Sequence, residues 1–386
     1  MLQINIIGLS ILALFLLAII RKKNKRQSDY ALMSTILLIA GVFLSYMWVN
    51  EGVNLANLIL QNLVSVYILP SFLVYAMLLI KGEMGIRKSW WWFGSIAITF
   101  TAFIIIDFIF LTDYGPDKIE GLAKSPPMIY RVFYRVNQGF SIISLIWFLK
   151  QLKEYDQKLK EQYSSIEPIR LGWLKTFTWL YLILSALTLV ILLAYSFGII
   201  NDTGTNYFIV YGAMILSLFY LCYHGIRQYT IAEFYEKTER QKEDLKASEE
   251  PETSKPSLNG NQPKYSSSSL SEEAMKALYS QIEMLFEEEQ IYLEPELKIR
   301  HIASELKVNS HNVSQTLNTV AGKSFYDYVN KYRVERFKEL LSNPENRKFT
   351  ILGLGLESGF NSKASLNRVF KQYIGVSPIE FQKQSS

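Results

Sequence analysis

His311, Gln315 and Asn318 follow one another at steps of four and three residues, and Ala364, Arg368 and Lys371 repeat those steps further on, with Lys363 and Asn367 at their flanks. Such steps bring each set to one face of a helix. Polar side chains facing outward from a helix can meet base edges in a groove of duplex DNA. Arg368 is the best suited of them, because a guanidinium can bridge guanine O6 and N7 with two hydrogen bonds. The surrounding charge agrees: residues 297–386 carry 14 basic and 7 acidic side chains, net +7, whereas residues 271–296 carry one Lys and eight Glu, net −7. A DNA partner belongs on the basic part, since phosphate neutralisation supplies most non-specific affinity. Lys371, Lys323, Arg333 and Arg336 read there as phosphate contacts or surface charge.

Other chemistries find no residues to carry them. No phosphate-binding glycine loop, no His-Glu pair on a helix and no nucleophile with a base at a recognisable spacing occurs, so the chain is not read as an enzyme and has no catalytic residue to assign. A single cysteine, Cys222, forms no intrachain bridge, and histidines at 224, 301 and 311 make no Cys/His metal cluster. No metal and no cofactor is expected. His224 reads as a residue at a membrane interface, and His301 as a neighbour of a buried helix face.

The elements that must hold the outward residues come as a repeat. Ile299, Ile302, Ala303 and Leu306 form the apolar face of one helix, Lys307, Val308 and Asn309 a turn, and Val313, Leu317 and Val320 the apolar face of a second helix. Asn309, Val313, Leu317, Gly322 and Ser324 recur 53 residues later as Ser362, Leu366, Phe370, Gly375 and Ser377. In that second copy Leu366, Val369, Phe370 and Tyr373 face inward. The stretch from Ser324 to Leu341 reads as one long helix joining the copies.

Residues from about 275 to 386 resemble the DNA-binding domain of AraC-type transcription regulators. The string Gly359-Phe360-Asn361-Ser362-Lys363-Ala364-Ser365-Leu366-Asn367-Arg368-Val369-Phe370-Lys371, followed by Gly375-Val376-Ser377-Pro378 and Phe381, is similar to that family's C-terminal signature nearly residue for residue. The resemblance implies seven helices in two helix-turn-helix units, each with its second helix in the major groove. It further implies base readers at His311, Ser314 and Gln315 in the first unit and at Lys363, Ala364, Asn367 and Arg368 in the second. Gly355 stands where the family usually has Ala, Gly353 adds a second glycine, and Leu366 replaces a usual Phe. A glycine inside a helix costs about 1 kcal/mol relative to Ala, so the second unit is expected to be the softer one.

Upstream the composition changes. Residues 1–224 hold 30 charged side chains, about 13%, and residues 225–386 hold 45, about 28%. Apolar runs near 2–20, 30–49, 55–80, 90–110, 128–149, 173–198 and 207–224 are each long enough to cross hydrocarbon, which takes roughly 20 helical residues. The positive charge of the first run follows its apolar stretch instead of preceding it, which reads as a first span with its N-terminus outside rather than a signal peptide. Loops at 21–29, 81–89 and 150–170 hold 13 Lys and Arg against 2 in the alternate loops, which puts the former in the cytoplasm. Seven spans ahead of such a domain also resemble membrane-bound bacterial members of the family.

Arg131, Arg135 and Gln138 share one face of the fifth run, Asp107 lies in the fourth, and Asn54, Asn57 and Gln61 lie in the outer half of the third. Charges at that depth face a partner or a cavity. Two readings stay open: an Asp–Arg pair with polar residues that glue the bundle, or a pocket for a small or anionic ligand formed by Asn57, Gln61, Asp107, Arg131 and Arg135.

The expected architecture is all-α: a seven-helix transmembrane domain over 1–224, a helical stalk and disordered linker over 225–270, and an AraC-like DNA-binding domain over 271–386. The expected partners are double-stranded DNA, the lipid bilayer and an outer-face ligand. The expected protein is a sequence-specific transcription regulator anchored in a bacterial inner membrane, with its C-terminal domain in the cytoplasm. The alternative is a passive anchor or transporter-like membrane half with separately regulated DNA binding.

Overall fold

The computed structural model describes residues 2–22, 25–49, 67–82, 128–167, 169–197, 219–228 and 270–385, with a few single positions between them. Every regular element among these is helical, and one isolated bridge pairs Tyr163 with Lys298. The chain divides into two compact units. One takes residues 1–153 and 171–230; the other takes Glu154–Arg170 together with the C-terminal residues.

The first unit is apolar. Its helices are α1 (Leu2–Ile20), α2 (Gln27–Val49), α3 (Tyr67–Gly82), the first part of α4 (Met128–Gln162) and α5 (Gly172–Ser196). Stretches Gln27–Ser45 of α2 and Gly172–Ile191 of α5 are long and apolar enough to cross a membrane, while Ile6–Ile20 and Tyr67–Gly82 are shorter apolar helices. Most of the fourth and seventh runs and residues 55–66 of the third lie outside the described residues, as does the stalk beyond Gln228. The α1–α2 packing is close at Gly8, where an added Cβ would sit 3.1 Å from the Phe43 ring. Polar bonds join three separate stretches at one level: Arg26 Nη1 donates to the Gln228 carbonyl at 2.9 Å, and Trp173 Nε1 to the Gln228 side chain at 2.7 Å. Beside them the buried Asp29 carboxylate accepts from Lys22 and Arg26.

The second unit is built from amphipathic helices. Helix α6 (Glu272–Glu287) is capped by Ser271, whose hydroxyl accepts from the Ala274 amide, and buries Met275, Leu278, Ile282, Leu285 and Phe286. Helices α7 (Ile299–Glu305) and α8 (Ser310–Val320) form the first copy of the repeat, and α10 (Ile351–Glu357) and α11 (Lys363–Ile374) the second. The long α9 (Phe325–Ser342) lies between the copies in sequence and packs on α8, α10 and α11, and α12 (Pro378–Ser385) closes the chain. The first copy's core gathers Ile282, Phe286, Leu297, Ile302, Val313, Leu317, Phe325 and Val329. Burying an aliphatic or aromatic side chain of this kind contributes about 1.5–3 kcal/mol, so this copy carries a core of its own.

Two of the departures in the second copy, Gly355 and Leu366, meet in space. An added Cβ on Gly355 would lie 2.6 Å from Leu366 Cδ2, so the glycine and the leucine that replaces a larger Phe fit one another. Helix α10 is formed over its whole length, with the Thr350 hydroxyl accepting from the Gly353 amide at its N-terminus.

Candidate nucleic-acid interface

Each second helix of the repeat is started by a side-chain cap. The Asn309 side-chain Oδ1 accepts from the His311 amide at 2.9 Å, and the Ser362 hydroxyl from the Ser365 amide at 3.2 Å. A cap of this type is worth about 1 kcal/mol to a helix, and here it also sets where the outward face begins. The first turn is tightened by Lys307, which takes a left-handed φ of 51°. In the second turn Gly359, at φ 88°, comes so close to the backbone of Tyr292 and Leu293 that no side chain fits.

Inward positions are buried as the periodicity requires: Val313 and Leu317 in α8, and Leu366, Val369 and Phe370 in α11. Tyr373 is half-buried, with its hydroxyl donating to the Asp327 carbonyl at 2.7 Å. On the other face His311, Asn318, Lys363, Ala364 and Lys371 are exposed, while Ser314, Gln315, Asn367 and Arg368 are half-buried. Asn318 Nδ2 donates to the Ser314 hydroxyl at 3.4 Å. His301 keeps a local role, its Nδ1 accepting from the Lys298 amide at 3.4 Å.

Arg333 is not a surface charge. It is 1% exposed, on the stripe of α9 that also buries Tyr326, Val329, Asn330 and Phe337. Its Nε donates to the Tyr292 carbonyl at 2.8 Å, and its Nη2 to the Glu294 carbonyl at 2.6 Å and the Ser164 hydroxyl at 3.2 Å. Burial pushes the guanidinium down to about 10. Its bonds tie the turn after α6 to α9, which is a packing role and excludes phosphate contact.

Arg368 is held by partners that the sequence did not announce. Its Nη2 donates to Glu167 Oε1 and to the Tyr326 hydroxyl, and its guanidinium stands 5.6 Å from the centre of the Tyr326 ring. The Tyr326 hydroxyl donates to the same Glu167 oxygen at 3.4 Å. Burial alone would push the Glu167 carboxyl up, but the Arg368 charge and hydrogen bond outweigh it and hold it below the ordinary range. For Arg368 burial works downward, and Tyr326 and Glu167 together reverse it, so the guanidinium is held charged more firmly than usual. Neighbouring residues of the same segment bind alongside: Ser164 O accepts from Asn330 Nδ2 at 3.1 Å, the Ser164 hydroxyl donates to the Leu297 carbonyl at 2.7 Å, and the Ser165 hydroxyl accepts from Asn361 Nδ2 at 2.7 Å. From the sequence, residues 150–170 read as a basic loop between spans; in the structure they are helical as far as Gln162, and 163–167 belong to the C-terminal unit.

Of the residues named for an outer ligand pocket, Asn57, Gln61 and Asp107 lie outside the described residues, as does the Arg131 side chain. Arg135 is half-buried on α4, and Gln138, one turn on, donates to the Ser185 carbonyl of α5 at 2.8 Å. Among the described residues no group of His, Cys, Asp and Glu is arranged to hold a metal ion.

Comparison with known proteins places the resemblance in the same region. The helix-turn-helix domain family matches residues 302–384. Two curated relatives are the Msm operon regulatory protein of Streptococcus mutans, 27% identical over 88 residues, and the melibiose operon regulatory protein of Escherichia coli K12, 27% identical over 89. Each match covers 23% of this chain and, respectively, 31% and 28% of the relative, so the chain spans less than a third of the length of the proteins it matches. No solved structure matches the chain at a significant level. The C-terminus therefore carries an AraC-type helix-turn-helix domain, homologous to that of AraC-family regulators.

Proposed function

We propose that this chain is a membrane-anchored, sequence-specific DNA-binding transcription regulator, with a seven-span domain over 1–224, a linker over 225–270 and the DNA-binding domain over 271–386. The observation that carries it is the paired geometry of α7–α8 and α10–α11. Two capped second helices on one long connecting helix each turn a polar face outward, that of α11 also basic, within a segment of net charge +7. His311, Ser314, Gln315, Lys363, Ala364, Asn367 and Arg368 are the proposed base readers, and Lys371 a phosphate contact. The two relatives are named as operon regulators, which supports a transcriptional role for this domain here.

The proposed location is a bacterial inner membrane, N-terminus outside and DNA-binding domain in the cytoplasm. Support comes from the 13 to 2 distribution of basic residues between alternate loops. Arg26, Trp173 and Gln228, from stretches which that distribution assigns to the cytoplasmic side, are bonded to one another, as one shared side requires. The remaining spans and the outer ligand site belong to the same proposal.

The test is selection of duplexes from a random-sequence DNA library by purified 271–386. The expected result is an enriched site with two half-sites about 10 bp apart, one helical turn. Retention of DNA with no sequence enrichment would leave the domain a non-specific binder and overturn the reading.

A further inference from the structure

Residues 163–167 directly follow α4 and lead into α5 along the chain, yet they fold onto the face of the C-terminal unit that offers Arg368. The Glu167 side chain is only 13% exposed there, and Arg368 32%. Nη2 of Arg368 is taken by Glu167 and Tyr326, and a bidentate contact with guanine needs two N–H groups of the same fork. A carboxylate thus already occupies a donor that Arg368 would offer to a base edge.

We propose that segment 163–167 is a built-in competitor of DNA: Glu167 holds the Arg368 guanidinium in place of a nucleic-acid acceptor, and the domain reads DNA fully only after this segment leaves. This rests on the reading of the C-terminal unit as DNA-binding. The segment is held by the buried Ile166, by a backbone bridge from Tyr163 to Lys298 and by side-chain polar bonds. Ser164 and Ser165 make polar bonds to Asn330, Arg333, Leu297 and Asn361, and when they leave, Arg333 keeps the Tyr292 and Glu294 carbonyls, so α9 retains its own ties. Docked Glu167 and bound phosphates would also repel one another, which sets the two occupants in competition. Because the segment is covalently continuous with α4 and α5, a shift in either helix acts on it directly. Such an order–disorder step in a connecting segment is an ordinary way of switching a site, and a signal moves it only by favouring one of the two states.

The experiment uses the full chain in lipid nanodiscs and the random-sequence duplex library. Glu167→Gln should tighten binding to the enriched duplexes by about 5- to 150-fold, the usual range of coupling between two sites. Glu357→Gln, which removes a carboxylate of the same unit with no contact to Arg368, should change it far less. In an Arg368→Ala background the gain from Glu167→Gln should vanish. As a second readout on the unaltered chain, hydrogen exchange of the 163–167 amides should speed up when a selected duplex is added. Equal affinities of Glu167→Gln and the unaltered chain for an enriched duplex, or unchanged exchange at 163–167 with duplex bound, would overturn the competitor while leaving the DNA-binding reading intact. If neither chain enriches any sequence, the DNA-binding reading falls, and the competitor with it.

Discussion

Gly359 and Gly375 have nearly the same backbone, φ 88° and 87°, but different surroundings, and that contrast allows a sharp prediction. A side chain at either position meets the strain of left-handed backbone, about 1–2 kcal/mol. At Gly375 nothing lies within 4 Å of an added Cβ, so the strain is the whole cost. At Gly359 the Cβ would lie 2.6 Å from the Tyr292 carbonyl oxygen and 3.0 Å from both Leu293 Cα and Arg333 Nε. Two of those three are backbone atoms that cannot swing aside, and overpacking of this kind costs a further 1–3 kcal/mol or so. The Tyr292 oxygen is also the acceptor of the 2.8 Å bond from Arg333 Nε, and a hydrogen bond to a charged group is worth about 1.5–3 kcal/mol. Gly375→Ala should therefore cost about 1–2 kcal/mol, and Gly359→Ala roughly 3.5–8 kcal/mol, much of a small domain's stability. Urea unfolding of 271–386 followed by circular dichroism measures both. Equal losses would refute the reasoning, because they would mean that the turn before α11 is not pinned against the Tyr292–Leu293 backbone.

Arg368→Ala in 271–386 should weaken binding by about 1–3 kcal/mol and relax preference at one base pair, whereas Lys371→Ala should weaken all sequences alike; equal loss on selected and random DNA would remove Arg368 from the readers. Reporter fusions after Ile20, Lys150 and Arg240 should report cytoplasm and one at Gly121 periplasm, and any reversal would break the seven-span topology. If the outer polar cluster senses a ligand, Asp107→Asn and Arg135→Gln should leave membrane abundance normal and lock promoter output; loss of abundance alone would return these residues to packing. Docking of 163–167 should respond to acid with a defined sign. The Glu167 carboxyl is held below its ordinary 4.5, so its contribution is present above that value and is lost as pH falls through the lowered one. Exchange of the 163–167 amides, corrected for intrinsic rates, should stay slow at neutral pH and rise only on acidification below 4.5. A rise at neutral pH would show that the ion pair is not what holds the segment.

Helical periodicity decided much of this protein in advance. Spacings of three and four put Val313, Leu317, Leu366, Val369 and Phe370 inside, and by the same arithmetic left His311, Lys363, Ala364 and Lys371 outside. The caps Asn309 and Ser362 are legible for the same reason: each answers a local backbone requirement within a few residues. Periodicity also carried the burial of Arg333, four residues after Val329 and four before Phe337, although its charge reads as a surface feature. What no local rule can supply is the identity of the group across a gap. The carbonyls that satisfy Arg333 come from Tyr292 and Glu294, some 40 residues away, and the carboxylate on Arg368 comes from Glu167, on the far side of the linker. Helix spacing states which way a side chain points, through interactions a turn apart. Which oppositely charged or hydrogen-bonding group meets it depends on how distant stretches pack, and here only the tertiary structure decided that.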